Sequence, residues 1–328
     1  MRLIDADAIA AKLDPLVLVE ALRMGHCDSG MGDVERMLIE ESVTGNAVLT
    51  WLASHPKRGI AVKTATVFPG NSRSGSRPNV QSVVALFDAA NGAPLAAIHG
   101  ESFTRMKTAA DSALAADLLA VRDAATLAVL GAGGQARTHV RFHCAVRPSI
   151  RRVLVWNRTH AAAERLAAEL TGEGLDAEAR DDPEAAVIEA AIVACLTAST
   201  EPALRGAWLK AGAHVDLVGG FTPAMRESDD DVVRRGRLFA DTLRFTIADC
   251  GDFADPIARG VIARDRIEGD LFDLVSGRIP ARRAPEEITV FKNGGGGHLD
   301  LMIARAIYNA RAWRGRGGRS WFASLRSQ

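Results

Sequence analysis

Gly131, Gly133 and Ala136 stand in a G-x-G-x-x-A spacing within LAVLGAGGQAR at 127–137, with an apolar run before the glycines and the helix-compatible stretch QARTHVRFHCAV after them. Strand, glycine turn and helix in that order are what a dinucleotide-binding βαβ unit requires. Gly131 permits the turn, Gly133 lets the backbone approach a pyrophosphate, and Ala136 lets the helix pack closely on the strand. Gly134 and Gln135 fall where the helix N-terminus offers N–H groups and a partial positive charge to phosphates. The next apolar strand, RVLVW at 152–156, runs into Asn157, Arg158 and Thr159. An acid at that point would bond the ribose hydroxyls of NAD. Here no carboxylate repels a 2′-phosphate, and Arg158 can form charge-assisted bonds with one. The expectation is NADPH in preference to NADH; Arg158 as a solvated turn residue is the alternative.

Three further cations carry potential chemistry: Arg36, Lys63 in the strand-like AVKTATVF, and Lys107 in TRMKTAADSALAADLL, where an Ala-rich helix is expected to begin. A lysine inside an apolar strand costs desolvation unless it has a partner or a task. On composition alone each of the three is better explained as an exposed salt-bridging side chain. His139 and His143, four apart on the helix after the glycine turn, are expected on an exposed face, and with no third ligand nearby in sequence no metal site is assigned. His298, after the NGGGG run, faces a site or caps a helix, and Asp111 and Asp300 have no partner that the sequence names.

The elements that must position these residues follow from pattern. A short helix is expected over 5–13, and a second begins with Asp14 as N-cap and Pro15 in its first turn, burying Leu18, Val19 and Leu22. Strands are expected at 47–53, 59–68, 80–88 and 94–99, with a polar Pro/Gly/Ser/Arg-rich loop over 69–79 and a hairpin turn at Asn91-Gly92. A helix over 108–120 leads into alternating strands and helices, with strands at 125–130, 152–156, 191–196, 214–218, 237–240 and 288–291 and a last helix from His298 to about residue 312. That rhythm specifies an α/β fold: a Rossmann, doubly wound, parallel domain over 119–292, beside an α+β domain of residues 1–118 with 293–328. The basic Gly-rich tail at 311–328 reads as a chain terminus.

Bulk properties narrow the class. The 328 residues are 48% hydrophobic and 24% charged with zero formal net charge, which points to neither nucleic acid nor an anionic membrane as a partner. No apolar run reaches the roughly 18 residues of a membrane span. The N-terminus lacks an apolar signal core. Cys27, Cys144, Cys195 and Cys250 have no metal or redox spacing, so buried thiols in a reducing cytoplasm are expected.

Taken together, VKTATVFPGN at 62–71, VQSVVALFDAANGAPLA at 80–96, TRMKTAADSALAADLLA at 104–120, GAGGQAR at 131–137, VGGFTPAMRESD at 218–229 and ITVFK at 288–292 resemble the ornithine cyclodeaminase/mu-crystallin family. The resemblance covers nearly the whole chain and implies a homodimer whose N-terminal sheets pair, with hydride chemistry at a carbon–nitrogen double bond. It places Arg36 at the substrate carboxylate, Lys63 as the catalytic residue near the reacting nitrogen, and Lys107 where many members have a second carboxylate-binding arginine. It sets Thr222 and Pro223 over the nicotinamide end, and Thr197 joins the expected cofactor contacts. Ornithine cyclodeaminases carry an aspartate where this chain has Phe221, a substrate-side residue that can neither accept a proton nor pair with an ammonium. The resemblance is therefore strongest to bacterial reductases of cyclic ketimines such as Δ1-pyrroline-2-carboxylate, yielding proline or pipecolate. Ornithine cyclodeamination, a mu-crystallin-like small-ligand-binding role, and an open-chain amino-acid dehydrogenase are the alternatives.

Overall fold

In the computed structural model the chain divides into two compact units: Met1–Ala21, Met31–Phe103 and Gly297–Gln328 form one, and Leu22–Gly30 with Thr104–Gly296 the other. The structure describes all residues except 11–12, 28–29, 69, 72–76 and 314–328. Part of the polar loop expected over 69–79 and most of the basic tail thus lie outside the described residues. Among the described residues no helix is long and apolar enough to cross a membrane.

The first unit is built on a six-stranded sheet. Strands β1 (Arg2–Ile4), β2 (Asp33–Glu40), β3 (Ala47–His55), β4 (Gly59–Val67), β5 (Val80–Phe87) and β6 (Pro94–His99) lie in the order β1-β6-β5-β4-β3-β2. Neighbours are antiparallel except β1, which is parallel to β6. The expected hairpin turn forms, with Gly92 at φ 72° donating its N–H to the Asp88 carbonyl. The last helix, Gly297–Trp313, lies on β2, β3, β4 and β5. Buried Ala53, Ala61 and Ala65 leave room for it, and Gly297 sits close to Val34 and Ala53. Near the N-terminus, Asp14 accepts a hydrogen bond from the Leu16 N–H at 2.9 Å, and Leu18, Val19 and Leu22 are buried, as their spacing predicts.

The second unit carries eight parallel strands: β7 (Thr126–Leu130), β8 (Arg152–Trp156), β9 (Asp176–Arg180), β10 (Ile192–Cys195), β11 (His214–Leu217), β12 (Arg237–Ala240), β13 (Ile267–Asp270) and β14 (Thr289–Lys292). Their order is β13-β12-β14-β11-β10-β7-β8-β9, and every pair is parallel. Alternate residues feed two cores, one on each sheet face: Leu127, Val129, Val153 and Val155 pack in one, Ala128, Leu130, Leu154 and Val193 in the other. Burial on both faces is why these strands read as unbroken apolar runs. The fold is α/β, as expected, and chain order reverses between β7 and β10, where open parallel sheets place their ligand crevice.

Four strands escape the sequence pattern: β1, β2, β9 and β13. They are the four outer strands of the two sheets. An edge strand has a neighbour on one side only and needs no apolar run; DVERMLIE in β2 and DAEAR in β9 are mostly exposed or half-buried. Two further expectations are corrected. The Ala-rich helix spans Gly100–Leu119 rather than starting at 108, so Lys107 lies two turns inside it and is 5% exposed. His139 and His143 are fully buried rather than on an exposed face, because their helix packs that side against the sheet. Of the cysteines, Cys195 and Cys250 are buried as expected, Cys144 is half-buried, and Cys27 is exposed.

Candidate active site

The glycine turn follows β7 directly. Gly131 has φ 107°, and a Cβ there would stand 2.7 Å from the Leu196 carbonyl oxygen, so the turn admits only glycine. Asn157 ties this turn to the end of β8: its Oδ1 accepts the Ala132 N–H at 3.1 Å and its Nδ2 donates to the Thr159 carbonyl at 3.0 Å. Gly133 and Gly134 are exposed, and a Cβ at Gly133 would meet no atom within 4 Å. Among the described residues nothing accepts the N–H groups of Gly133, Gly134 or Gln135. The helix Ala136–Val146 has no side-chain cap and no acid in its first turn, and Gln135 Oε1 is buried without a partner. Open glycines, unpaired N–H groups and the positive helix end fit the pyrophosphate of a dinucleotide. Arg158 and Thr159 are exposed beyond β8.

Behind the ends of the neighbouring strands lies a buried charge cluster that the sequence pattern did not reveal. Glu227, Asp252 and Lys292 are each 0% exposed. Lys292 Nζ stands 3.1 Å from Asp252 and 3.9 Å from Glu227. Glu227 Oε1 accepts the Thr197 N–H at 2.7 Å and its hydroxyl at 2.9 Å, while Oε2 accepts the N–H groups of Gly219 at 2.6 Å and Gly220 at 3.3 Å. Asp252 Oδ1 in turn accepts the Glu227 and Ser228 N–H groups at 2.8 and 3.1 Å. One carboxylate therefore holds two loops, those of Thr197 and of Phe221-Thr222. The loops touch: a Cβ on Gly219 would fall 1.6 Å from the Thr197 carbonyl oxygen. Burial pushes Glu227 up to about 7, with Lys292 drawing it down. Thr222 accepts the N–H groups of Met225 and Gly251, and Phe221 stands out from this loop at 59% exposure. The missed signal was Lys292 itself, a lysine ending the apolar run ITVFK, for which the desolvation argument applied to Lys63 holds equally.

A second buried cluster surrounds Lys107. Asp241 accepts the N–H groups of Gly294 and Gly295, and Thr246 donates its hydroxyl to it. Lys107 Nζ would lie 2.9 Å from a Cβ on Gly295. Burial raises both Asp241, to about 6, and Asp111, while the Lys107 charge lowers each of them. Lys107 is thus surrounded by acids of its own unit.

In the first unit, strand register assembles the other two cations. Arg36 on β2 is opposite Trp51 on β3, and Trp51 is opposite Lys63 on β4, so the three share one face in one row. The Arg36 guanidinium lies 5.6 Å from the Trp51 ring centroid, a cation–π contact. Two strand spacings separate Arg36 from Lys63, roughly 10 Å along the hydrogen-bonding direction. Lys63 Nζ stands 3.6 Å from Asp300 Oδ1 of the last helix, with side-chain exposures of 12% and 3%. Asp300, unpartnered in the sequence, thus has its partner, and His298, two residues before it on the same helix, is buried. Arg36 and Lys63 belong to the first unit; Lys107, Phe221 and the cofactor residues belong to the second.

A doubly wound sheet with an open glycine turn at its switch point, in a chain whose other unit presents cations on a sheet face, defines an α/β protein with a Rossmann-like dinucleotide-binding unit. The family model of the ornithine cyclodeaminase/mu-crystallin family matches residues 31–314. The chain belongs to that family. It is 42% identical over 294 residues, 90% of this chain and 92% of the other, to a Delta(1)-pyrroline-2-carboxylate reductase of Paracoccus denitrificans. Among solved structures it resembles the Thermococcus litoralis Delta(1)-pyrroline-2-carboxylate reductase in complex with NADH and L-proline, with TM-score 0.90, 28% identity and coverage of 98% and 100% of the two chains. It also resembles the iminosuccinate reductase of Paracoccus denitrificans in complex with NAD+, with TM-score 0.86, 27% identity and coverage of 96% and 97%.

Proposed function

We propose that this protein is an NADPH-dependent reductase of a cyclic ketimine carboxylate, Δ1-pyrroline-2-carboxylate or Δ1-piperideine-2-carboxylate, producing L-proline or L-pipecolate. The observation that carries this reading is the Arg36–Trp51–Lys63 row, two cations on one sheet face in a chain 42% identical to a reductase of that substrate. Arg36 binds the substrate carboxylate. Lys63 stands at the imine nitrogen, held by Asp300, and supplies the hydrogen bond or proton that the nitrogen needs as the C=N bond is reduced. The bound nicotinamide supplies the hydride. Phe221 contributes an apolar surface and no carboxylate to strip an amine, which sets this site apart from deamination of ornithine. Gly131, Gly133, Gly134, Gln135 and Ala136 hold the pyrophosphate, Asn157, Arg158 and Thr159 the adenosine end, and Thr197 and Thr222 the nicotinamide end.

The preference for NADPH rests on Arg158, exposed beyond β8 with no acid beside it in the sequence. Self-association through the first unit is supported by the outer strand β2, where Met37, Leu38 and Ile39 are 56%, 56% and 59% exposed. The first unit then serves substrate binding and dimerisation, the second the cofactor, in a cytoplasmic homodimer. The test is NADPH oxidation against a panel of cyclic imines and of 2-oxoacids with amines, beside ammonia release from L-ornithine. Turnover confined to cyclic imines is expected; stoichiometric ammonia and proline from ornithine without net nucleotide consumption would assign the chain to the cyclodeaminases.

A further inference from the structure

The glycine turn has a cationic neighbour that the G-x-G-x-x-A pattern does not contain. Arg105, on the long helix Gly100–Leu119, lies against Gly134: a Cβ built there would stand 3.5 Å from Nη2, 3.6 Å from Nε and 3.8 Å from Cζ. Three guanidinium atoms at nearly equal distance mean that the planar group faces the place a side chain would take at Gly134, in the turn whose Gly133, Gly134 and Gln135 N–H groups have no acceptor among the described residues. The next cation along the chain, Arg137, pairs with Glu173 at 2.5 Å. A dinucleotide brings two negative charges to this turn, and a helix end supplies about half a charge. A guanidinium in this place adds one full positive charge, with five donors in a fork that matches phosphate oxygens.

From this geometry we infer that Arg105 is a ligand of the cofactor pyrophosphate, acting beside the N–H groups of the helix N-terminus. The inference rests on the cofactor part of the reading above and not on the substrate. Arg105 and Arg158 then divide the cofactor between them. Arg105 meets the pyrophosphate that NADH, NADPH and ADP-ribose share, and Arg158 meets the 2′-phosphate that only NADPH has. The guanidinium can keep a contact of its own and still present a bidentate edge to phosphate, because five N–H groups are available.

The experiment is a set of titrations of the full-length protein with ADP-ribose, NADH, NADPH and adenosine, followed by calorimetry. Arg105→Ala is expected to weaken ADP-ribose, NADH and NADPH by a common factor of about 10–100, the range for losing a charge-assisted hydrogen bond. Adenosine, which has no phosphate, keeps its affinity. Arg105→Lys recovers part of the loss, since a point charge replaces the fork. Arg158→Ala weakens NADPH alone. Unchanged ADP-ribose binding in Arg105→Ala overturns the assignment, and so does an equal loss for adenosine, which marks a disturbed turn rather than a missing ligand. If wild-type protein binds ADP-ribose but reduces no imine, the substrate reading fails while these titrations still decide the role of Arg105.

Discussion

The two units handle charge in opposite ways. In the second, Lys292, Asp252 and Glu227 are wholly buried and answer one another, and their yield is indirect: backbone loops at Thr197 and Gly219-Gly220 held in place. In the first, Arg36 is exposed and Lys63 partly so, both on a sheet face, with Trp51 beside Arg36 and Asp300 beside Lys63. Buried charges that neutralise each other build a scaffold, because removing one leaves the others desolvated and uncompensated. Charges at the surface of a sheet keep their field for a ligand. Substitution of the exposed Arg36 should therefore change catalysis and spare stability; substitutions in the buried cluster should do the reverse.

The largest effect is expected at Lys63. Lys63→Met should lower turnover by roughly 10²–10⁴-fold, the range for a positioned acid–base group, with NADPH affinity unchanged in calorimetry. A variant that turns over normally would remove Lys63 from the chemistry and dissolve the contrast. Lys292→Met comes next. Leaving Asp252 and Glu227 buried without their cation should cost about 3–5 kcal/mol of stability, read from urea denaturation. Wild-type stability in that variant would mean that the cluster carries no structural load.

Arg36→Ala should raise the Michaelis constant for the imine steeply, since truncating one partner of a desolvated ion pair costs on the order of 2–5 kcal/mol. Steady-state kinetics beside an unchanged melting temperature checks this. Normal catalytic efficiency would reduce Arg36 to a surface charge.

A smaller effect concerns pH. Burial lowers His139 to about 3 and His143 to about 4 from an ordinary 6.5. Their folded forms take up protons later than the unfolded chain, so the stability they contribute is present above pH 6.5 and drains as pH falls toward 4. At pH 4 the loss is about 3 kcal/mol per histidine. Burial raises Asp216 and Glu227 to about 7, and these carboxyls work in the opposite sense, gaining stability over the same window. The histidine share is therefore read as a difference: melting curves of His143→Gln should fall less between pH 6.5 and 4 than those of the wild type. Parallel curves would show that His143 titrates normally.

Much of the second unit was legible because its chemistry is local. The glycine turn, its strand and its helix lie within some twenty consecutive residues, and strands buried on both faces announce themselves as apolar runs. The four outer strands were not legible, because an edge pairs on one side and tolerates polar residues such as those of DVERMLIE. The helix holding His139 and His143 showed its period and not its depth, and the histidines proved to be interior.

Sequence alone determined the α/β class, the dinucleotide turn, the family, and Arg36 and Lys63 as candidate substrate cations. Tertiary structure alone decided their company. Arg36, Trp51 and Lys63 become a row only through the pairing of β2 with β3 and β3 with β4, and Asp300 reaches Lys63 across 237 positions. Glu227 meets Lys292, and Arg105 meets Gly134, by the same means. Spacing along the chain encodes contacts that one turn or one helix can close. Contacts made by strand register and helix packing join residues far apart in sequence, and no local pattern carries them.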